Sequence, residues 1–150
     1  MKARGQNLFF DEIVEALRFE LELLGVATSE SYVFDEMDED RVYALVAPHE
    51  WFALNNGVEV DDAWLARTIM ISAEQPHTHF FDKNVELAAK AGAVFDINPQ
   101  GVREMRHQGL PTEHLRLGYT ERWLGEPERA DRPTDVLFMG CHSQKRAAAL

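Results

Sequence analysis

Titratable side chains follow two apolar segments that are typical of buried strands. His49 comes two residues after the segment 42–47, and Glu74 and His77 come after residues 68–72. A histidine beside a carboxylate can act as a general base on a hydroxyl group, because the carboxylate raises the basicity of the imidazole. His49, Glu74 and His77 are therefore the candidate catalytic residues.

The same histidines also fit a second chemistry, that of a metal site. His77 and His79 are two residues apart, so in an extended segment their side chains share a face. Glu74, His49 or Asp96 could complete a zinc shell around them. This alternative is a metal-dependent hydrolase. The competing interpretation is that both are surface histidines beside a proline turn. This interpretation is preferred, so no bound metal is expected.

The end of the chain carries a possible phosphate site. Residues 136–139 are an uninterrupted apolar run, which predicts a buried strand, and Gly140 then permits a tight turn. Residues 144–150 favour a helix whose first turn holds Lys145 and Arg146. Exposed amides at a helix start bind anions, and these two cations would assist them, which suggests diphosphate binding. The alternative is a capped helix with solvated basic side chains.

Length, composition and charge limit the classes of protein to which this chain can belong. The chain has 150 residues and 45% hydrophobic side chains, enough for one ordinary globular core. Its net charge is −11, and residues 11–40 hold eleven acids against one arginine. This balance argues against nucleic-acid binding. With no apolar run near the length of a membrane helix, no apolar signal stretch at the start and one cysteine, a cytoplasmic protein is expected.

Strand-like and helix-like segments alternate along the chain. The strand centres recur every 21 to 25 residues, which indicates an α/β fold with a Rossmann-like parallel sheet flanked by helices. The predicted strands are residues 42–47, 68–72, 93–97, 115–117 and 136–139, and a further short strand is placed within residues 29–40. Pro48 is expected to end the first of the long strands.

The predicted helices are residues 10–24, 61–65, 81–91 and 98–109. Asp61 is the expected cap of the second helix, and the last helix has Asn98 as its cap, Pro99 as its first residue and Gly109 as its stop. Trp51, Phe52 and Trp64 are interpreted as core or covering aromatics, with stacking on a sugar as the alternative.

Four segments in this order resemble a known family. They are ISAEQP at residues 71–76, AVFDIN at 93–98, LPTEHLRLGY at 110–119 and DVLFMG at 135–140, the last followed by Lys145 and Arg146. Together they resemble the N-terminal half of bacterial GT-B-type glycosyltransferases, including the spore-protein-like group. The resemblance covers about residues 40–150.

The resemblance implies an acceptor-side domain and a donor-side domain that face each other across a cleft. Residues 1–134 would form the acceptor side, with a connector from about residue 120, and residues 135–150 would begin a truncated donor domain. Because the first six residues are polar, the usual first strand of the acceptor-side sheet is expected to be missing. The chain alone is then expected to be inactive.

The resemblance also assigns roles to single residues. Glu74 and Gln75 would line the acceptor side, Asp96 and Asn98 would lie at the rim of the sheet, and Tyr119 would lie near the hinge. The donor diphosphate would be held by Gly140, Lys145 and Arg146. The implied reaction moves a sugar from a nucleotide-sugar, acting as co-substrate, to an acceptor hydroxyl without a bound cofactor. A non-catalytic binding or assembly module, with a homo-oligomer as one form, is the third alternative.

Overall fold

The computed structural model describes residues 7–31, 38, 40–55 and 60–121. Within these ranges each pair of successive strands is separated by one helix, or by two in the case of the first two strands. In chain order they are α1 (Leu8–Leu23), β1 (Tyr43–Val46), α2 (Pro48–Leu54), α3 (Asp62–Leu65), β2 (Thr68–Ser72), α4 (His79–Ala88), β3 (Ala93–Asp96), α5 (Pro99–His107) and β4 (Thr112–His114).

The four described strands form one sheet in the order β1-β2-β3-β4, and every neighbouring pair is parallel. The predicted α/β fold with a Rossmann-like parallel sheet is confirmed. In the register Val46 pairs with Ile71, Ser72 with Asp96, and Asp96 with His114. The carboxyl ends of the strands therefore meet along one edge, which we call the carboxyl edge.

Helices cover the sheet on both faces. Helix α1 packs on one face, where Ile13 and Val14 join a buried cluster with Val46 and Ile71. The opposite face carries the other helices. Their side chains pack against Leu45, Met70 and Val94 in two further clusters. This division agrees with three successive crossovers in the same direction, which place their connecting helices on the same face.

Local sequence explains where the first helix begins and ends. Asn7 caps α1 by accepting a hydrogen bond from the Phe9 amide, since the first amides of a helix have no partner within it. The buried side chains Phe10, Ile13 and Val14 form one stripe at helical spacing. After the helix, Gly25 adopts a φ of 79°, a left-handed conformation that favours glycine.

Most predicted elements are confirmed with small shifts in their ends. Strand β2 has the predicted bounds, and the short helix α3 is capped by Asp61, as its sequence indicated. Helix α4 begins two residues earlier than predicted because Thr78 caps it through the Phe81 amide. Asn98 caps α5, with Pro99 as its first residue.

The predicted fourth strand, residues 115–117, is wrong. The strand at this place is Thr112–His114, three residues earlier. The prediction followed the apolar Leu115 and Leu117, but the short edge strand is polar and buries only the small Thr112 fully. Leu115 only extends the ladder by donating its amide to the carbonyl oxygen of Asp96.

A second difference is the helix α2, which the sequence did not predict. The sequence predicts Pro48 only as the end of a strand, whereas Pro48 is the first residue of this helix. Proline suits that position because its missing amide would have no helical partner. Trp51 of α2 and Trp64 of α3 are buried in the core, as interpreted.

Several predictions fall on residues outside the described ranges. These are the short strand within residues 29–40, most of the connector from about residue 120, the strand at residues 136–139, and the phosphate-site residues Gly140, Lys145 and Arg146. Among the described residues, no helix combines the length and the apolar character needed to cross a membrane.

Candidate functional site

The turn from β1 into α2 delivers His49 to the carboxyl edge. Ala47 donates its amide to the carbonyl oxygen of Ile71, which continues the ladder, and then adopts a left-handed conformation with φ 51° and ψ 61°. This conformation costs a residue other than glycine roughly 1 kcal/mol. In return the helix starts at once, and His49 enters its first turn with only 7% of its surface exposed.

Asn84 of α4 binds His49 at two points. The Asn84 Oδ1 atom accepts the backbone amide of His49 at 3.1 Å, and the Asn84 Nδ2 atom lies 3.2 Å from His49 Nδ1. The same Nδ2 group donates to the Ser72 hydroxyl at 3.1 Å. A backbone N–H can only donate, so the orientation of the Asn84 amide is fixed and its NH₂ group must face the imidazole.

This geometry selects the protonation state of His49. Because the Asn84 NH₂ group donates to Nδ1, that nitrogen carries no proton and the proton of the neutral ring lies on Nε2. Burial lowers the pKa of His49 below its ordinary value, while the nearby Glu74 and Glu50 carboxylates oppose part of this effect. His49 is therefore neutral, and its ring proton lies on Nε2.

The Nε2 atom of His49 lies near the Glu74 carboxylate. His49 Nε2 lies 3.5 Å from Glu74 Oε2, and Glu74 Oε1 accepts the backbone amide of Gln75 at 2.7 Å. The Glu74 side chain keeps 21% of its surface exposed, whereas the His49 side chain keeps 7%. Each carboxylate oxygen has a second lone pair, so Glu74 can still accept a proton or hydrogen bond from the solvent side.

Asp96 ends β3 beside this group. Its Oδ1 atom accepts the Asn98 amide at 2.7 Å, while its fully buried Oδ2 atom makes no hydrogen bond to a described residue. Burial raises the pKa of Asp96 to about 6, although the Asn98 amide and the neighbouring Ser72 hydroxyl stabilise its ionised form in part. Asp96 thus changes charge just below neutral pH.

These side chains form one continuous polar arrangement, which we call the edge network. It consists of Ser72, Glu74, His49, Asn84 and Asp96. Buried polar groups of this kind hold one another in a single geometry when their hydrogen bonds are satisfied. The carboxyl ends of parallel strands are also where ligands bind in open α/β sheets. The network is therefore the candidate functional site.

Two amide side chains border the edge network. Asn98 donates its Nδ2–H to Gln75 Oε1 at 3.2 Å, and its own Oδ1 caps α5 through the Gln100 amide. This contact joins the segments that follow β2 and β3. The structure thus brings together five of the residues singled out in the sequence, namely His49, Glu74, Gln75, Asp96 and Asn98.

Other singled-out residues lie apart or outside the described chain. His77 is exposed in the turn after β2, with a φ of 71°. Tyr119 lies beyond β4, is 71% exposed, and lines a cavity of about 250 Å³ with Ile13 and Leu17 of α1. Gly140, Lys145 and Arg146 are not among the described residues.

The structure gives no support to a metal site in the part of the chain that it describes. No group of three or more His, Cys, Asp or Glu side chains with a suitable arrangement occurs there. His77 and His79 lie on either side of Thr78, the cap of α4, and both are exposed. The interpretation of these histidines as surface residues is confirmed, and His79 is the first residue of α4.

Sequence reasoning missed Asn84 and Ser72. Asn84 lies three residues after Phe81 and four before Ala88, so it occupies a buried position of α4, and it is fully buried. A polar amide on the apolar face of a helix needs hydrogen-bond partners, and this is the signal that could have identified it. Ser72 gave a weaker signal, as the one hydroxyl at the end of an apolar strand.

Comparisons of this chain with protein families, curated proteins and solved structures give no match.

Proposed function

We propose that the carboxyl edge binds a hydroxyl-bearing acceptor for glycosyl transfer from a nucleotide-sugar. The observation that supports this proposal is a partly exposed carboxylate, Glu74, held from behind by a buried and neutral His49. The order of segments that resembles GT-B-type glycosyltransferases supplies the reaction class. Neither the Glu74–His49 pair nor the order of segments requires a bound metal.

In the proposed reaction Glu74 is the general base. The acceptor oxygen attacks the anomeric carbon of the donor sugar and forms the new glycosidic bond. The bond from that carbon to the diphosphate breaks, and its electron pair leaves with the nucleoside diphosphate. The acceptor proton passes to Glu74. A positioned base of this kind contributes roughly 10²–10⁴-fold to a rate.

His49 is assigned a positioning role in this reaction. Both of its ring nitrogens face protein groups, Nδ1 toward Asn84 and Nε2 toward Glu74, so the ring holds the carboxylate in place. His77, exposed in the loop that also carries Glu74, is the second candidate base. Gln75 and Asn98 would bind the acceptor from the rim.

The donor side of the proposal rests on sequence alone. Gly140, Lys145 and Arg146 would hold the diphosphate, since positive charge stabilises the leaving group as the bond breaks. Tyr119 would lie near the approach to that side. The proposed location is the cytoplasm, in keeping with the single cysteine and the lack of a long apolar run.

The test is a transfer assay with a purified form of the protein that also carries a donor-binding domain, because the acceptor side alone is expected to be inactive. A panel of nucleotide-sugars is incubated with a panel of hydroxyl acceptors, nucleoside diphosphate release is measured, and products are identified by mass spectrometry. We expect release that depends on the acceptor, and a loss of roughly 10²-fold or more in Glu74→Gln.

Glu86→Gln is the matched control for that substitution. Glu86 is an exposed carboxylate of α4 that pairs with Lys83, so its loss should leave transfer unchanged. Absence of acceptor-dependent release with every donor, or full activity in Glu74→Gln, would overturn the proposal.

A further inference from the structure

An aromatic ring faces solvent beside the edge network. Phe80, the second residue of α4, packs on the His49 ring with their centroids 5.4 Å apart and an angle of 42° between the planes. It remains 49% exposed. Phe10 of α1 meets the same imidazole edge-on at 6.2 Å. Phe80 is therefore a partly exposed ring supported by a fixed, buried neighbour.

The exposed Phe80 ring and the partly exposed Glu74 carboxylate are both neighbours of one imidazole. His49 contacts Phe80 through its ring and Glu74 through Nε2, at 3.5 Å from Glu74 Oε2. Both groups are thus neighbours of one side chain, so they can contribute to one binding site. Gln75, exposed and next to Glu74, adds an amide with donor and acceptor atoms.

This combination suits a ligand with an apolar face and a hydroxyl-bearing edge. The face of an aromatic ring is electronegative, so it attracts C–H groups that carry a small positive charge. A carboxylate and an amide then accept and donate hydrogen bonds at the edge of the ligand. A pyranose ring has this division between its C–H face and its hydroxyls.

The charge of the site argues against a phosphorylated ligand. Glu50 and Glu74 act on His49 as neighbouring carboxylates, and Asp96 lies at the end of the adjacent strand. The chain as a whole carries a net charge of −11. A negative surface repels anions, so a neutral ligand is favoured over a phosphorylated one.

We infer that the acceptor is a neutral carbohydrate, bound with its ring against Phe80 and a hydroxyl group at Glu74. The inference deepens the proposed function and rests on it, because both use the same edge. It specifies the acceptor class, which the resemblance of the sequence leaves open.

Saccharide binding in the absence of any nucleotide-sugar tests the inference. Neutral mono- and disaccharides are titrated into the purified chain, and binding is followed by saturation-transfer NMR and by the resonances of His49. We expect at least one saccharide to bind, Phe80→Ala to weaken it about 10-fold or more, and Phe80→Trp to retain it. The control is Leu54→Ala, which removes an exposed apolar side chain at the far end of α2 and should have no effect.

The outcomes separate this inference from the proposed function. If no saccharide binds, or if Phe80→Ala binds as well as the wild type, the carbohydrate assignment is wrong. Sugar transfer to an alcohol that is not a carbohydrate would retain the proposed function and overturn only this inference. Saccharide binding with no transfer from any donor would keep the carbohydrate site and overturn the transferase.

Discussion

Among the described residues, Asp96 is the one whose carboxyl pKa is raised by burial to about 6. It is fully buried at the end of β3, and its Oδ2 atom lies against Gly101 of α5, where a Cβ atom would come within 2.3 Å of it. Removing a carboxylate from water without full hydrogen bonding disfavours its ionised form. The stability of the domain should therefore depend on pH through this group.

Because the pKa of Asp96 is raised to about 6 in the folded chain from an ordinary 3.8, the folded state binds the proton more tightly. This raised pKa stabilises the folded chain fully when the pH is below the ordinary pKa of 3.8, and the stabilisation is lost as the pH rises through about 6. We expect the stability of the wild type relative to Asp96→Asn to fall by up to about 3 kcal/mol between about pH 4 and pH 7.5.

Urea unfolding of both proteins across this pH range measures that difference. Groups other than Asp96 titrate in both proteins, so their effects cancel in the comparison. A difference that stays constant with pH would show that Asp96 ionises in the folded chain as it does in the unfolded chain.

At the scale of residues, part of the site could be predicted from sequence. His49, Glu74 and Asp96 follow apolar runs, and parallel strands place the residues after them at one edge. Asn84 and Phe80 could not be found in that way, because they lie on α4 and meet His49 only through the packing of α4 against α2. No local pattern encodes that contact between two helices.

At the scale of elements, the junction between α3 and β3 depends on a close backbone approach at Gly92. Its amide donates to the carbonyl oxygens of Leu65 and Thr68, and a Cβ atom here would lie 2.3 Å from the carbonyl oxygen of Ala66. Backbone cannot move aside as a flexible side chain can. We expect Gly92→Ala to lower the free energy of unfolding by about 1–3 kcal/mol.

Chemical unfolding of Gly118→Ala provides the matched comparison. Gly118 has no heavy atom within 4 Å of the position that its Cβ would take, so this substitution should change stability by less than about 0.5 kcal/mol. Equal losses in the two variants would mean that the approach at Gly92 relaxes without cost.

The helices and strands also show which sequence signals were sufficient to predict the position of an element. Helix α5 has a cap, a proline and a glycine stop in the expected places, and each signal acts within one turn. Strand β4 has only three residues, of which Glu113 is exposed, so its position is fixed by pairing with β3 rather than by an apolar pattern. Helix α2 was missed because Pro48 is compatible both with a strand end and with a helix start.

At the scale of the whole molecule, α1 links one face of the sheet to the carboxyl edge. Its start is tied to the site, since the Asn7 amide donates to Glu50 Oε1 at 2.7 Å and Phe10 contacts the His49 ring. Its middle is anchored by Ile13, which is 1% exposed in the cluster with Val46 and Ile71. We therefore expect that a change which loosens the packing of α1 on the sheet also disturbs the geometry of the edge network.

Ile13→Ala tests this link. The substitution leaves a cavity beneath α1, and truncation of a buried isoleucine costs about 2–5 kcal/mol, measured by urea unfolding. We also expect the His49 resonances to shift, because Phe10 lies on the same helix one turn away. Leu23→Ala, which removes a 67% exposed side chain near the end of α1, should cost less than about 0.5 kcal/mol and leave His49 unchanged. A destabilised Ile13→Ala with unaltered His49 resonances would show instead that the edge network is held by α2, α4 and the strands without help from α1.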